Sequence, residues 1–188
     1  QFANGNQQPA PSTMVTNLYG EAAARIETAA ANEDNRERLF DAGDCDNDDA
    51  CLDLLVNTVG RRLFRRPLED MERDLLVSGA RDNAEGLWAR AEFALEVMLQ
   101  SVPFLYVVDW GKPSTEHDGL LERDDWTLAT RLSLLFWNSG PDDHLLDAAA
   151  EGRLTTEAGL EEQVRRLSGS SSSIASQREF LREWIGHD

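Results

Sequence analysis

The chain has 188 residues, 41% of them hydrophobic, and sets 18 Lys and Arg against 35 Asp and Glu for a formal net charge of −17. That length suits one compact domain or two small helical subdomains, and the longest apolar runs are only a few residues, too short for a transmembrane helix. The charge argues against nucleic acid as a partner, because gripping phosphates needs a basic surface, and against adsorption to an anionic membrane.

Lys112 is the only lysine, and the arginine bias speaks to solubility rather than to mechanism. Residues 1–13, with Pro9 and Pro11 among polar side chains, read as a flexible lead-in. An opening at Gln1, with no charged-then-apolar leader, reads as a processed or cut product. The close at Trp184–Asp188, directly after an apolar helix, reads as a fragment.

Beyond the lead-in the periodicity is helical almost throughout, and the expected fold is all-α. Residues 14–31 place Met14, Leu18, Ala22, Ile26 and Ala29 on one face. An acidic stretch follows over 34–53. A helix starts near Asp48, where carboxylates suit an N-terminus, and runs through Leu52, Leu55, Val56, Val59, Leu63 and Phe64. Pro67 ends it and opens the next helix, with Glu69, Asp70 and Glu72 in the first turn. A long helix over about 83–101 carries Leu87, Ala91, Ala94, Leu95, Met98 and Leu99, and Ser101-Val102-Pro103 breaks it. Residues 104–108 are apolar and rich in β-formers, so they read as one short extended segment, and 109–123 as a polar loop.

Asp124 or Asp125 caps a helix through Trp126, Leu132 and Phe136; a short helix follows over 142–150. Thr155 or Thr156 caps another through Leu167. Ser168–Ser173 reads as a flexible linker before a last helix with Phe180, Leu181, Trp184 and Ile185. The organisation is therefore an N-terminal helical subdomain over 14–108, the loop over 109–123, and a C-terminal helical subdomain over 124–188.

Few residues suggest chemistry. Cys45 and Cys51 make neither a CxxC redox motif nor a CxxCH haem attachment. They read as a local disulfide, a bond that persists outside the cytosol; the alternative is two unpaired thiols, with no cationic neighbour to activate them. Asp44, Asp46 and Asp48 resemble the first half of a calcium loop, but Asp49 stands where Gly is needed and Leu55 where Glu is needed. A solvated acidic loop is the main reading and calcium the alternative.

Arg61, Arg62, Arg65 and Arg66 crowd four positive charges together, Arg61 with Arg65 and Arg62 with Arg66 on shared helix faces. They read as ion pairs to the protein's own carboxylates or bonds to helix C-terminal carbonyls, or else as an anionic-partner site. Trp126, Trp137 and Trp184 read as core. His117, His144 and His187 have no ligand spacing and no nucleophile motif beside them. No catalytic residue can be named from the sequence.

Two stretches carry a resemblance. Gly60-Arg61-Arg62-Leu63-Phe64-Arg65-Arg66-Pro67-Leu68, with Leu99–Tyr106, resembles one domain of exported, cytochrome c-associated bacterial proteins of the planctomycete and myxobacterial type. Residues 128–154, from Leu128-Ala129-Thr130-Arg131 through Phe136-Trp137-Asn138-Ser139-Gly140-Pro141-Asp142-Asp143, resemble the next domain of those proteins, and Phe180–Ile185 resembles its end. Both are domains of unknown function. The resemblance covers roughly residues 45–188 and implies an all-helical fold, export to the periplasm or cell exterior, and a redox setting. It also implies a c-type haem in an adjoining segment or partner, with no cofactor in this chain. It matches Cys45 and Cys51 to a cysteine pair, and it supplies no catalytic residues. His144 and His187 depart from the family pattern.

The leading expectation is a non-catalytic helical module of a cytochrome c-linked redox protein, packing against a haem-bearing segment or subunit. The alternatives are a subunit of an extracytoplasmic oxidoreductase acting on a polymer or small molecule, and a purely structural protein-binding module.

Overall fold

The computed structural model describes residues 13–30, 32, 35, 47–107, 109, 111–114 and 118–186. The chain divides into two compact units between residues 107 and 108.

The first unit contains α1 (Thr13–Ala30), α2 (Asp48–Phe64), α3 (Asp70–Asn83), α4 (Leu87–Gln100) and the single turn α5 (Val102–Leu105). The Asn47 side chain accepts the amides of Asp49 and Ala50 and so starts α2. At α3 the Glu72 carboxylate reaches back to the Glu69 amide at 2.8 Å, the return half of a capping box. The apolar α4 packs against α1, α2 and α3. Its Leu95, Met98 and Leu99 meet Leu52, Leu55 and Val56 of α2 in a core that also takes Leu76 and Val77 from α3.

The second unit opens with an antiparallel hairpin, β1 (Gly111–Pro113) with β2 (Leu121–Arg123), in which Lys112 pairs with Glu122. Four helices follow: α6 (Asp125–Trp137), α7 (Asp143–Ala150), α8 (Glu157–Ser168) and α9 (Ser171–Ile185). Each begins with a short polar side chain that accepts an amide of the first turn, namely Asp124, Asp142, Thr156 and Ser170. Here α6 is the central element, in contact with α7, α8 and α9. Ala129, Leu145, Ala148, Leu154 and Leu167 form the core, with Trp126, Leu132, Phe136 and Trp137 packed against it.

Nine helices and one two-stranded hairpin among the described residues make the fold all-α, as the periodicity implies. Several local expectations are corrected. Phe104 and Leu105 belong to the helical turn α5, and only from Tyr106 does the backbone extend (φ −118°, ψ 142°). Pro103 fits a helix first turn, where its missing N–H is no loss. Pairing falls instead within 109–123, whose two three-residue strands are too short to leave a periodic signal. Pro67 lies between α2 and α3 rather than in a first turn.

Ser168–Ser173 is not a linker, because α8 ends at Ser168 and α9 begins at Ser171. Of the described side chains of α1, Ala23 and Ala30 are buried, while Ile26 is exposed. Over its described side chains α1 therefore packs through alanines, which permit close approach, while the side chains of Met14 and Leu18 lie outside those described. Trp184 is 66% exposed and is not a core residue. Of the lead-in expected over 1–13, residues 1–12 lie outside the described residues, and Thr13 opens α1.

Candidate functional site

The arginine cluster begins on α2 but does not stay helical. The helix stops at Phe64, and Arg65 adopts a left-handed conformation (φ 60°, ψ 20°). That turn separates Arg65 and Arg66 from the faces of Arg61 and Arg62. Arg65 Nη2 donates to Pro103 O at 2.5 Å and Tyr106 O at 3.0 Å, and Nη1 donates to Phe104 O and Leu63 O, each at 3.3 Å. The guanidinium thus binds the carbonyls of α5 and its exit. Burial lowers its pKa from the ordinary arginine value, and the neighbouring Arg66 charge lowers it further.

Arg66 instead makes a two-pronged pair with Glu72, Nη1–Oε2 and Nη2–Oε1 both 2.8 Å, and its Cζ lies 6.0 Å from the Phe64 ring centroid. The hydrogen bond from Arg66 holds the Glu72 carboxyl below its ordinary value, against the opposing effect of burial. Two of the four arginines therefore hold the α2–α3 corner and the α5 turn.

The other candidates are dispersed. Asp48 stands in the first turn of α2, while Asp44 and Asp46 lie outside the described residues. No group of three or more His, Cys, Asp and Glu side chains able to hold a metal occurs among the described residues. Cys51 is buried in the first turn of α2, and Cys45 lies outside the described residues. His144 is exposed in the first turn of α7; His117 and His187 lie outside the described residues. Five residues between the cysteines do not fit a covalent haem attachment.

Sequence reasoning missed the polar corner of the second unit. Arg166 pairs with Asp142 through Nη1–Oδ2 at 2.7 Å and Nη2–Oδ1 at 2.9 Å, and donates from Nε to the buried Gln163 Oε1 at 2.8 Å. Its Cζ lies 5.4 Å from the Trp137 ring centroid. Trp137 Nε1 in turn donates to Ser170 Oγ at 2.6 Å. Burial pushes the Asp142 carboxyl up, but the bonds from Arg166 and the Leu145 amide, with the nearby positive charge, outweigh it and leave the group lowered. The adjoining hollow of about 430 Å³ is lined by Ala158, Glu161, Glu162, Arg165 and Arg166 along one face of α8. Its charges are already matched, Arg165 to Glu161 at 2.7 Å and Glu162 to Arg153 at 3.2 Å.

The last helix carries the other missed feature. Ser173 is fully buried, and Gln177, Phe180 and Trp184 continue its line along the helix at spacings of three and four. The line is exposed from Gln177 on, and past Gln177 it becomes apolar: Phe180, Leu181, Trp184 and Ile185 are 56, 47, 66 and 66% accessible. These four side chains fall within about 140° of the helix circumference. The change from small and polar to large and apolar midway along one face is the signal that sequence reading could have used.

A family model matches about the last third of the chain. Residues 124–188 match PSD4, a family described as a protein of unknown function (DUF1592). The match starts at Asp124, the cap of α6, and so takes in α6 to α9 with the Trp137–Arg166–Asp142 corner and the exposed end of α9. No curated protein and no solved structure matches the chain.

Proposed function

We propose that the chain is a non-catalytic helical module of an exported, cytochrome c-linked redox protein, packing against a haem-bearing segment or subunit. The observation that carries this reading is the α9 face. Large apolar side chains at i, i+1, i+4 and i+5 form a stripe of the kind that marks a contact surface. Among the described residues the three carboxyls held below their ordinary values, Glu72, Asp109 and Asp142, are each bonded to an arginine. Such carboxylates are poor proton carriers at neutral pH, which favours a packing role over an enzymatic one.

The reading includes four further parts. The likeness of residues 124–188 to a family of unknown function extends, through Gly60–Leu68 and Leu99–Tyr106, to the planctomycete- and myxobacterial-type proteins. The location is periplasmic or extracellular. The c-type haem sits in the adjoining segment or partner. Cys45 and Cys51 form a disulfide that staples the acidic loop to α2, in keeping with the burial of Cys51 and with no described cysteine being free.

The test is to isolate the protein from its native source and record its intact mass and optical spectrum. A Soret band that travels with the chain, in one polypeptide or in a complex, supports the reading, provided Trp184→Asp abolishes the association of a separate haem-bearing chain. A homogeneous product of about 21 kDa with no Soret band overturns it.

A further inference from the structure

We propose that residues 101–107 form a strap that opens as a unit from the first helical unit, with Arg65 as its latch. The strap has little of its own to hold it down. Its only regular structure is the four-residue α5, which contains no buried residue, and a helix that short is not stable alone because nucleation is unfavourable. Val102, Tyr106 and Val107 are 62, 44 and 45% exposed, and Phe104 is the side chain it packs against the core. Ser101 is tied to α4, its amide and hydroxyl both donating to Met98 O, and beyond it what fixes the strap is one guanidinium, which takes the carbonyls of Pro103, Phe104 and Tyr106.

The latch itself is costly. Arg65 is one of two non-glycine described residues with positive φ, a conformation that disfavours side chains. Its bonds are all to backbone carbonyls, so among the described residues the half-buried cation has no anion bonded to it, and Arg66 adds like charge. Releasing the strap returns Arg65 to water and relaxes its backbone. Both costs lower the free energy of opening the strap below that of unfolding the unit, as a reversible latch requires. Ser101, extended between α4 and α5 (φ −79°, ψ 153°), is the hinge. The first unit ends at residue 107, so the strap is its last segment.

Hydrogen exchange on the full chain tests this. The amides of Phe104, Leu105 and Tyr106 donate to Ser101 O, Ser101 O and Val102 O, and those of Met98 and Leu99 lie in α4 beside them. The strap amides should exchange far faster than the α4 amides. Arg65→Met should raise strap exchange by about tenfold or more while α4 protection is unchanged, and Arg65→Lys, which keeps the charge but lacks the fork, should fall between. Strap exchange equal to that of α4 in the unmodified chain overturns the proposal. So does Arg65→Met or Arg65→Lys leaving the strap unchanged, or either one deprotecting α4 equally.

Discussion

Arg166 on α8 binds both oxygens of Asp142, the residue that caps α7, at 2.7 and 2.9 Å. Asp142 Oδ1 also accepts the Leu145 amide at 2.9 Å, so one carboxylate serves two helices at once. The guanidinium lies over Trp137 at the end of α6, and Trp137 bonds to Ser170, the cap of α9. Four helix ends thus meet through one ion pair. The pair is not deeply buried, with 29 and 40% of the two side chains accessible, so solvent screens its Coulombic part. Geometry and capping account for more of its value than charge.

Acid should loosen this corner before it unfolds the cores. Asp142 has a folded-state pKa below its ordinary 3.8. A depressed carboxyl contributes stability that is fully present above the unfolded value and is lost as pH falls through the folded one. Asp109, bonded to Arg131, and Glu72, bonded to Arg66 with an ordinary value of 4.5, act in the same direction. Urea unfolding midpoints should therefore be flat through neutral pH and drop below about pH 4.5. Asp142→Asn keeps a good cap but loses the charged fork, which solvent partly screens, so it should cost about 0.5–1 kcal/mol at neutral pH and make the acid decline shallower. An Asp142→Asn chain with the same acid slope as the unmodified one would show that the carboxylate is not coupled to folding.

How much of this was legible beforehand depends on what each feature needs. Helices such as α2 and α6 announce themselves because a long apolar face repeats and an Asn or Asp stands at the cap, as Asn47 and Asp124 do. The hairpin does not, since Gly111–Pro113 and Leu121–Arg123 are held by backbone pairing rather than by side-chain pattern. Arg65 was visible as a charge, but the left-handed turn that aims it at carbonyls 38 to 41 residues away is a tertiary outcome. The Asp142–Arg166 pair spans 24 residues for the same reason. Trp184 was misread because helical spacing shows which side chains share a face, not whether another element covers that face.

Glycines discriminate between two kinds of tight contact. A Cβ at Gly159 would collide with the Arg153 carbonyl oxygen, which belongs to the turn before α8, whereas one at Gly60 would meet the Leu68 side chain. A backbone carbonyl cannot rotate away, but a leucine can change rotamer. Gly159→Ala should therefore cost about 2–3 kcal/mol and Gly60→Ala about 1 kcal/mol or less, read from chemical denaturation. Equal effects would mean that the Arg153 turn moves as easily as the Leu68 side chain.

The exposed end of α9 should be dispensable for folding. Leu146 is fully buried, and Leu146→Ala removes methyl groups from a packed interior, which costs about 2–5 kcal/mol. Trp184 has a larger side chain, yet most of it already contacts water. Trp184→Ser should shift unfolding by no more than about 0.5 kcal/mol. The contrast separates two reasons for a tryptophan to be there. If Trp184→Ser destabilises the isolated chain as much as Leu146→Ala does, Trp184 belongs to the core in solution and the docking face is lost with it. If it leaves stability intact while Trp184→Asp still abolishes association with a haem-bearing partner, the cost of exposing that indole in the free chain is offset only when the partner covers it.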